Sequence, residues 1–105
     1  MKITIRLAAL LLAAMVLPVS AQDDSLAGER LYQENCASCH GANLEGQPDW
    51  RSRLPNGRLP APPHDASGHT WHHTDRVLLD IVKRGTAAIV GNGYESDMPG
   101  FKEVL

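Results

Sequence analysis

Residues 35–43, NCASCHGAN, hold both cysteines of the chain, Cys36 and Cys39, with His40 directly after the second. Thiols three positions apart share one face of a helical turn, and three chemistries use that arrangement. A redox dithiol of the thioredoxin kind requires strands alternating with helices, and almost nothing in this sequence reads as strand. A structural zinc or copper site takes four ligands. Cys36 and Cys39 could find the rest of such a set in His69, His72 and His73 of GHTWHH. The third chemistry is covalent attachment of c-type haem, of which Cys-x-x-Cys-His is the signature. Both thiols then reach one porphyrin edge as thioethers, and His40 projects its imidazole at the iron. The metal reading stays open beside the haem reading at this point.

Haem attached in this way calls for a second axial ligand, and Met98 in SDMPGF is the candidate. Of the three methionines, Met1 and Met15 lie in the N-terminal segment, which leaves Met98 alone in the remainder. A glycine-rich stretch precedes it and Pro99 follows it, so a backbone with few options presents the thioether. Its plain alternative is core filling, the usual task of methionine.

The elements that must position these groups follow from composition and periodicity. Lys2 and Arg6, an apolar run from Leu7 to Leu17 and the small residues Val19-Ser20-Ala21 predict a secretory signal peptide over residues 1–21, cut after Ala21. The run is too short to span a bilayer, which takes about 20 residues. Residues 22–105 then form one small domain with 8 basic and 12 acidic residues, a formal charge of −4. That balance disfavours nucleic acid as a partner. A domain of this size with few large apolar residues is marginal without a disulfide, metal or buried cofactor.

DDSLAGERLYQENC predicts a helix starting near Asp24 or Ser25, with Leu31 and Tyr32 facing inward and Gly28 marking a close approach. Residues 41–70 hold every proline after Pro18 except Pro99, and Trp50, Leu54 and Leu59 predict an ordered loop folded over something apolar. HTDRVLLDIVKRG predicts the clearest helix. Thr74 or Asp75 caps it, Val77/Ile81 and Leu78/Val82 form its buried stripe, and Gly85 stops it. TAAIVGNGYESDMPGF reads as a glycine-rich loop and FKEVL as the start of a further helix.

With these residues in view, the chain resembles the class I monohaem cytochromes c of the small bacterial periplasmic kind. GERLYQENCASCHG matches the family's opening helix, with Gly28 and Tyr32 as its glycine and aromatic ahead of Cys36, Cys39 and His40. MPGF matches the distal methionine loop. The resemblance implies an all-α fold, a few helices wrapped around one covalent haem c. It also implies that the backbone carbonyl of Pro62 or Pro63 accepts the Nδ1–H of His40. Trp71, just before the middle helix, could direct its indole N–H at a haem propionate or simply pack. Arg58 in PNGR could pair with a propionate or stand in solvent, the latter being the expectation. The family closes with a C-terminal helix crossing the first near its glycine and aromatic, whereas this sequence ends at Leu105, about where that helix begins. Gly28 and Tyr32 are therefore expected to lack that packing here.

The function implied is a one-electron carrier, not an enzyme, since His40 and Met98 together saturate the iron. Expected partners are redox proteins: a periplasmic dehydrogenase, a quinol-oxidising complex or a terminal reductase. The competing functions are a haem-bearing subunit of a larger enzyme and a periplasmic zinc or copper protein using Cys36, Cys39 and the histidines. Displacement of Met98 by one of those histidines is a further variant.

Overall fold

The computed structural model describes residues 20–105, with side chains described from Asp23 onward. The expected signal segment therefore lies outside the described residues, except that Ser20 and Ala21 open the first helix. That helix, α1 (Ser20–Asn35), begins earlier than the caps at Asp24 or Ser25 predict. Neither residue interrupts it, because nothing in Ser-Ala-Gln-Asp-Asp breaks a helix and acidic side chains are favourable in a first turn. One residue later α2 (Ala37–His40) carries the signature. Cys36 is the hinge between them: its N–H still donates to Tyr32 O at 2.8 Å, while its carbonyl accepts the His40 N–H at 2.9 Å. The Tyr32 hydroxyl donates to Gly41 O at 2.7 Å and so pins the end of α2 back onto α1. Leu31, expected inward, is exposed. A Cβ at Gly28 would meet nothing within 4 Å, so the close approach that the glycine suggested is not made among the described residues.

Residues 41–69 contain no helix or strand, yet they are held in place. Gly46 N–H donates to His40 O at 2.7 Å, Gln47 N–H to Ala61 O at 2.9 Å, and His64 N–H to Leu44 O at 2.9 Å. Residues 44–47 thus run beside residues 61–64. The approach is close enough to require glycine: at φ +68, a Cβ on Gly46 would lie 2.5 Å from Pro63 N and 2.7 Å from Pro62 C. A short 3-10 turn (Thr70–His72) leads into α3 (Asp75–Arg84). Thr74 caps α3 by accepting the Val77 N–H through its side chain, and Gly85 at φ +83 ends it, as the sequence predicts.

After Gly85 the chain forms α4 (Thr86–Val90), where a loop was expected. Two alanines favour helix, but five residues are too few to show periodicity in a sequence. FKEVL makes a single turn, in which Phe101 O accepts the N–H groups of Val104 at 2.9 Å and Leu105 at 3.0 Å. No strand occurs among the described residues, so the fold is all-α. No described helix is long and apolar enough to cross a membrane.

Candidate functional site

The apolar stripe of α3 does not close onto another element. Among the described residues no Ala, Val, Ile, Leu, Met, Phe, Trp or Tyr side chain is buried, while His40 is, at 7% exposure. Val77, Leu78, Ile81 and Val82 instead line a cavity of about 1080 Å³, at the upper end of the volumes of small-molecule and cofactor sites. Trp50, Leu54 and Leu59 of the loop form another part of its wall, and Phe101 a further part. A helix stripe and a loop that should bury each other therefore face a shared space.

The surface of that wall is mostly apolar, and polar and sulfur groups interrupt it. At one part stand Cys36, Cys39 and His40; Met98 lies in the same lining. Both thiols are free. Burial first, then the neighbouring Cys39, pushes the Cys36 thiol above its ordinary value. A catalytic dithiol works through a thiol depressed by positive surroundings, and the Cys36 environment acts in the other direction.

His40 is fixed through its ring. Its Nδ1 lies 2.8 Å from Pro62 O, and because a carbonyl can only accept, Nδ1 is the nitrogen that carries a proton there, which leaves Nε2 as the nitrogen available to ligate. Of the two candidate acceptors it is Pro62, not Pro63, that faces the ring; Pro63 is buried against Gly46 instead. His64 stacks on His40 at 4.0 Å between ring centres, with 28° between planes. The His64 Nδ1 in turn lies 2.7 Å from the Thr70 hydroxyl. Burial first, then the neighbouring His40 and His69, pushes the His64 ring down to about 4.

Met98 is held at two atoms. Its N–H donates to Ser96 Oγ at 3.1 Å, and its sulfur accepts from the Thr86 hydroxyl at 3.3 Å. Its loop is docked on the junction of α3 and α4, where Phe101 N–H donates to Val82 O at 2.8 Å. Gly85 permits this, since a Cβ there would lie 2.9 Å from Gly100 N and 3.0 Å from Met98 O. Thr86 carries no signal in the sequence; only the path of the loop brings it to the sulfur.

Of the other predicted residues, Trp71, Arg58 and His72 fall outside the cavity lining, whereas His69 and His73 belong to it. Trp71 is 72% exposed, lies outside the cavity lining, and gives its indole N–H to Gly68 O at 3.0 Å. Arg58 neither stands free nor reaches into the cavity: its guanidinium pairs with Asp97 and lies 3.8 Å from Glu95. His69, His72 and His73 have ring centres 4.8–5.9 Å apart. Their planes tilt or stand edge-on to one another, however. Among the described residues no group of three or more His, Cys, Asp or Glu is gathered as a metal ion requires.

The residues present fit haem c: an apolar cavity without a competing core, two free thiols beside an imidazole with Nε2 available to ligate, and a thioether in the same lining. The family model for cytochrome c matches residues 25–104. Cytochrome c-555 of Prosthecochloris aestuarii is 45% identical over 42 residues, which cover 34% of this chain and 42% of that protein. Cytochrome c-550 of Virgibacillus halodenitrificans is 61% identical over 23 residues, 22% of this chain and 66% of that protein. The matched segments thus span less than two thirds of either relative. No solved structure gives a significant match. Taken with the signature and the cavity it opens onto, the match over residues 25–104 means that the chain belongs to the cytochrome c family, electron-transfer proteins that carry covalent haem c.

Proposed function

We propose that the chain is a periplasmic one-electron carrier whose haem c is held by Cys36 and Cys39 as thioethers, with His40 Nε2 and Met98 Sδ as the axial ligands. The observation that carries this reading is the His40 Nδ1 contact with Pro62 O at 2.8 Å. It fixes the tautomer and leaves Nε2 as the ligating nitrogen of a ring that borders the same cavity as Met98.

Haem c bound here supplies an iron that takes up and gives up one electron. The chain's residues govern that exchange. Pro62 O holds the imidazole in one orientation through both oxidation states, so little rearranges on transfer. Thioether sulfur is a soft ligand and favours the reduced iron relative to a second imidazole. The stripe of α3 and residues Trp50, Leu54 and Leu59 exclude water and lower the local dielectric. With both axial positions taken by the chain, substrate has no open site. Electrons would pass to and from a dehydrogenase, a quinol-oxidising complex or a terminal reductase through weak docking. Residues 1–21 are the signal that places the chain in the periplasm.

Expression in a host with c-haem maturation machinery, followed by a denaturing gel of the periplasmic fraction stained for haem, tests the attachment and the location. The wild type should keep a stained band at mature size, and Cys36→Ser with Cys39→Ser should abolish it. The ferric wild type should show the thioether-to-iron charge-transfer band and Met98→Ala should lack it. A wild-type protein band without haem stain would end the reading.

A further inference from the structure

Arg58 is separated in sequence from the methionine loop by the whole of α3 and α4, yet its guanidinium reaches that loop. Nη1 donates to Asp97 Oδ1, and Nε lies 3.8 Å from Glu95 Oε2. Both ends of the link are anchored. On one side a hydrogen-bonded turn sets Arg58: Leu54 N–H donates to Arg58 O at 2.8 Å, Gly57 N–H to Leu54 O at 2.8 Å, and Arg58 N–H to Asn56 Oδ1 at 3.0 Å. The Arg53 guanidinium adds a bond to Gly57 O at 2.7 Å. On the other side Asp97 immediately precedes Met98, whose N–H and sulfur are held by Ser96 and Thr86.

The two segments joined are different parts of one wall. Leu54 and Leu59, on either side of Arg58, line the cavity, and so do Asp97 and Met98. Among the described residues no other hydrogen bond or ion pair connects residues 41–70 with residues 86–105. The side chain of Arg58 is 37% exposed, so the link sits at the rim, where solvent and salt reach it.

We propose that Arg58 is a positioning residue, whose pairing with Asp97 latches the proline-rich loop against the methionine loop and guards Met98 from displacement by outside ligands. The inference rests on Met98 being the axial ligand. A guanidinium held by a carboxylate one residue from the ligating side chain opposes the outward swing that must precede exchange. Broken, the latch leaves Met98 tethered only through Thr86, Ser96 and the glycine junction. Because the pair is at the rim, added salt weakens it and the guard with it.

Imidazole, a small neutral ligand that competes with thioether for ferric iron, reads the latch in the haem-loaded protein. Arg58→Gln and Asp97→Asn should each raise its affinity about two- to fivefold, the range of a partly exposed ion pair. The double variant should go no further than Arg58→Gln alone, which already removes the Asp97 pairing together with the approach to Glu95. Added sodium chloride should move the wild type toward the variants and leave the variants unchanged. Arg58→Lys should fall between, and Arg76→Gln should match the wild type. If the charge-transfer band is present but Arg58→Gln and Asp97→Asn bind imidazole as the wild type does, or their effects add, the latch is refuted and the ligand reading survives. If the wild type lacks the band, both fall together.

Discussion

Gly85→Ala should loosen the methionine loop by a calculable amount. Gly85 has φ +83 and ψ 156, a region that only glycine occupies freely and that costs another residue about 1–3 kcal/mol. A Cβ there would also stand 2.9 Å from Gly100 N, 3.0 Å from Met98 O and 3.0 Å from Pro99 C. All three are backbone atoms that cannot turn aside, and overpacking of this kind adds about 1–3 kcal/mol. Alanine recovers about 0.4–1 kcal/mol by restricting the unfolded chain. The central values leave a net loss of about 3 kcal/mol, a large share of the stability of a small domain. It corresponds to a fall in melting temperature of about 12–24 °C. Melting of the haem-loaded protein followed by circular dichroism gives the first readout. The ferric charge-transfer band gives the second, and it should weaken well below the melt because the displaced atoms include the Met98 carbonyl. Gly57→Ala is the control: its φ is +82, but a Cβ would meet nothing within 4 Å, so only the conformational cost applies. Were Gly85→Ala to melt with Gly57→Ala and keep a full band, the docking of the loop at Gly85 would not be what positions Met98.

Three further outcomes follow from geometry already given. With His64 pushed down to about 4 from 6.5, the unfolded chain binds its proton first as pH falls; stability should be full above pH 6.5 and decline down to about 4, in denaturant midpoints measured against pH, and His64→Gln should flatten that slope. Thr86→Val removes the donor 3.3 Å from the Met98 sulfur, whose partial positive charge favours the reduced iron; the midpoint potential in protein-film voltammetry should fall by about 20 mV, for a redox-state difference of about 0.5 kcal/mol in a weak hydrogen bond. Thr74→Ala deletes the cap of α3, leaves Val77 N–H without its side-chain acceptor, and should cost about 1 kcal/mol in chemical denaturation.

Local rules accounted for the parts of this chain whose causes are local. The α3 helix was legible from end to end because cap, stripe and stop lie within one short window. The signature was legible because its chemistry is a spacing. What escaped were features set by the route of irregular backbone. Nothing near Thr86 says that its hydroxyl meets a sulfur, and the five residues of α4 are too few for periodicity to register. Arg58 looked like a solvent-facing side chain because its partners, Glu95 and Asp97, arrive from beyond two helices. Trp71 was placed by its position ahead of α3, yet the turn it occupies carries the indole outward to Gly68. Between Pro62 and Pro63 the sequence offered no choice; the close pass of Gly46 makes it.

The oxygen that receives the His40 proton belongs to the main chain. No exchange of side chains can delete such an atom, so residue 62 is free to drift in identity while the ring keeps its hold. What can remove the oxygen is a change in the route of the peptide that carries it. That route is set at Gly46, where any side chain would collide with the peptide joining Pro62 to Pro63. Mutational sensitivity is thereby moved from the residue that makes the bond to one that touches neither imidazole nor iron. A screen for lost ligation would find its hit at a glycine with no chemistry of its own.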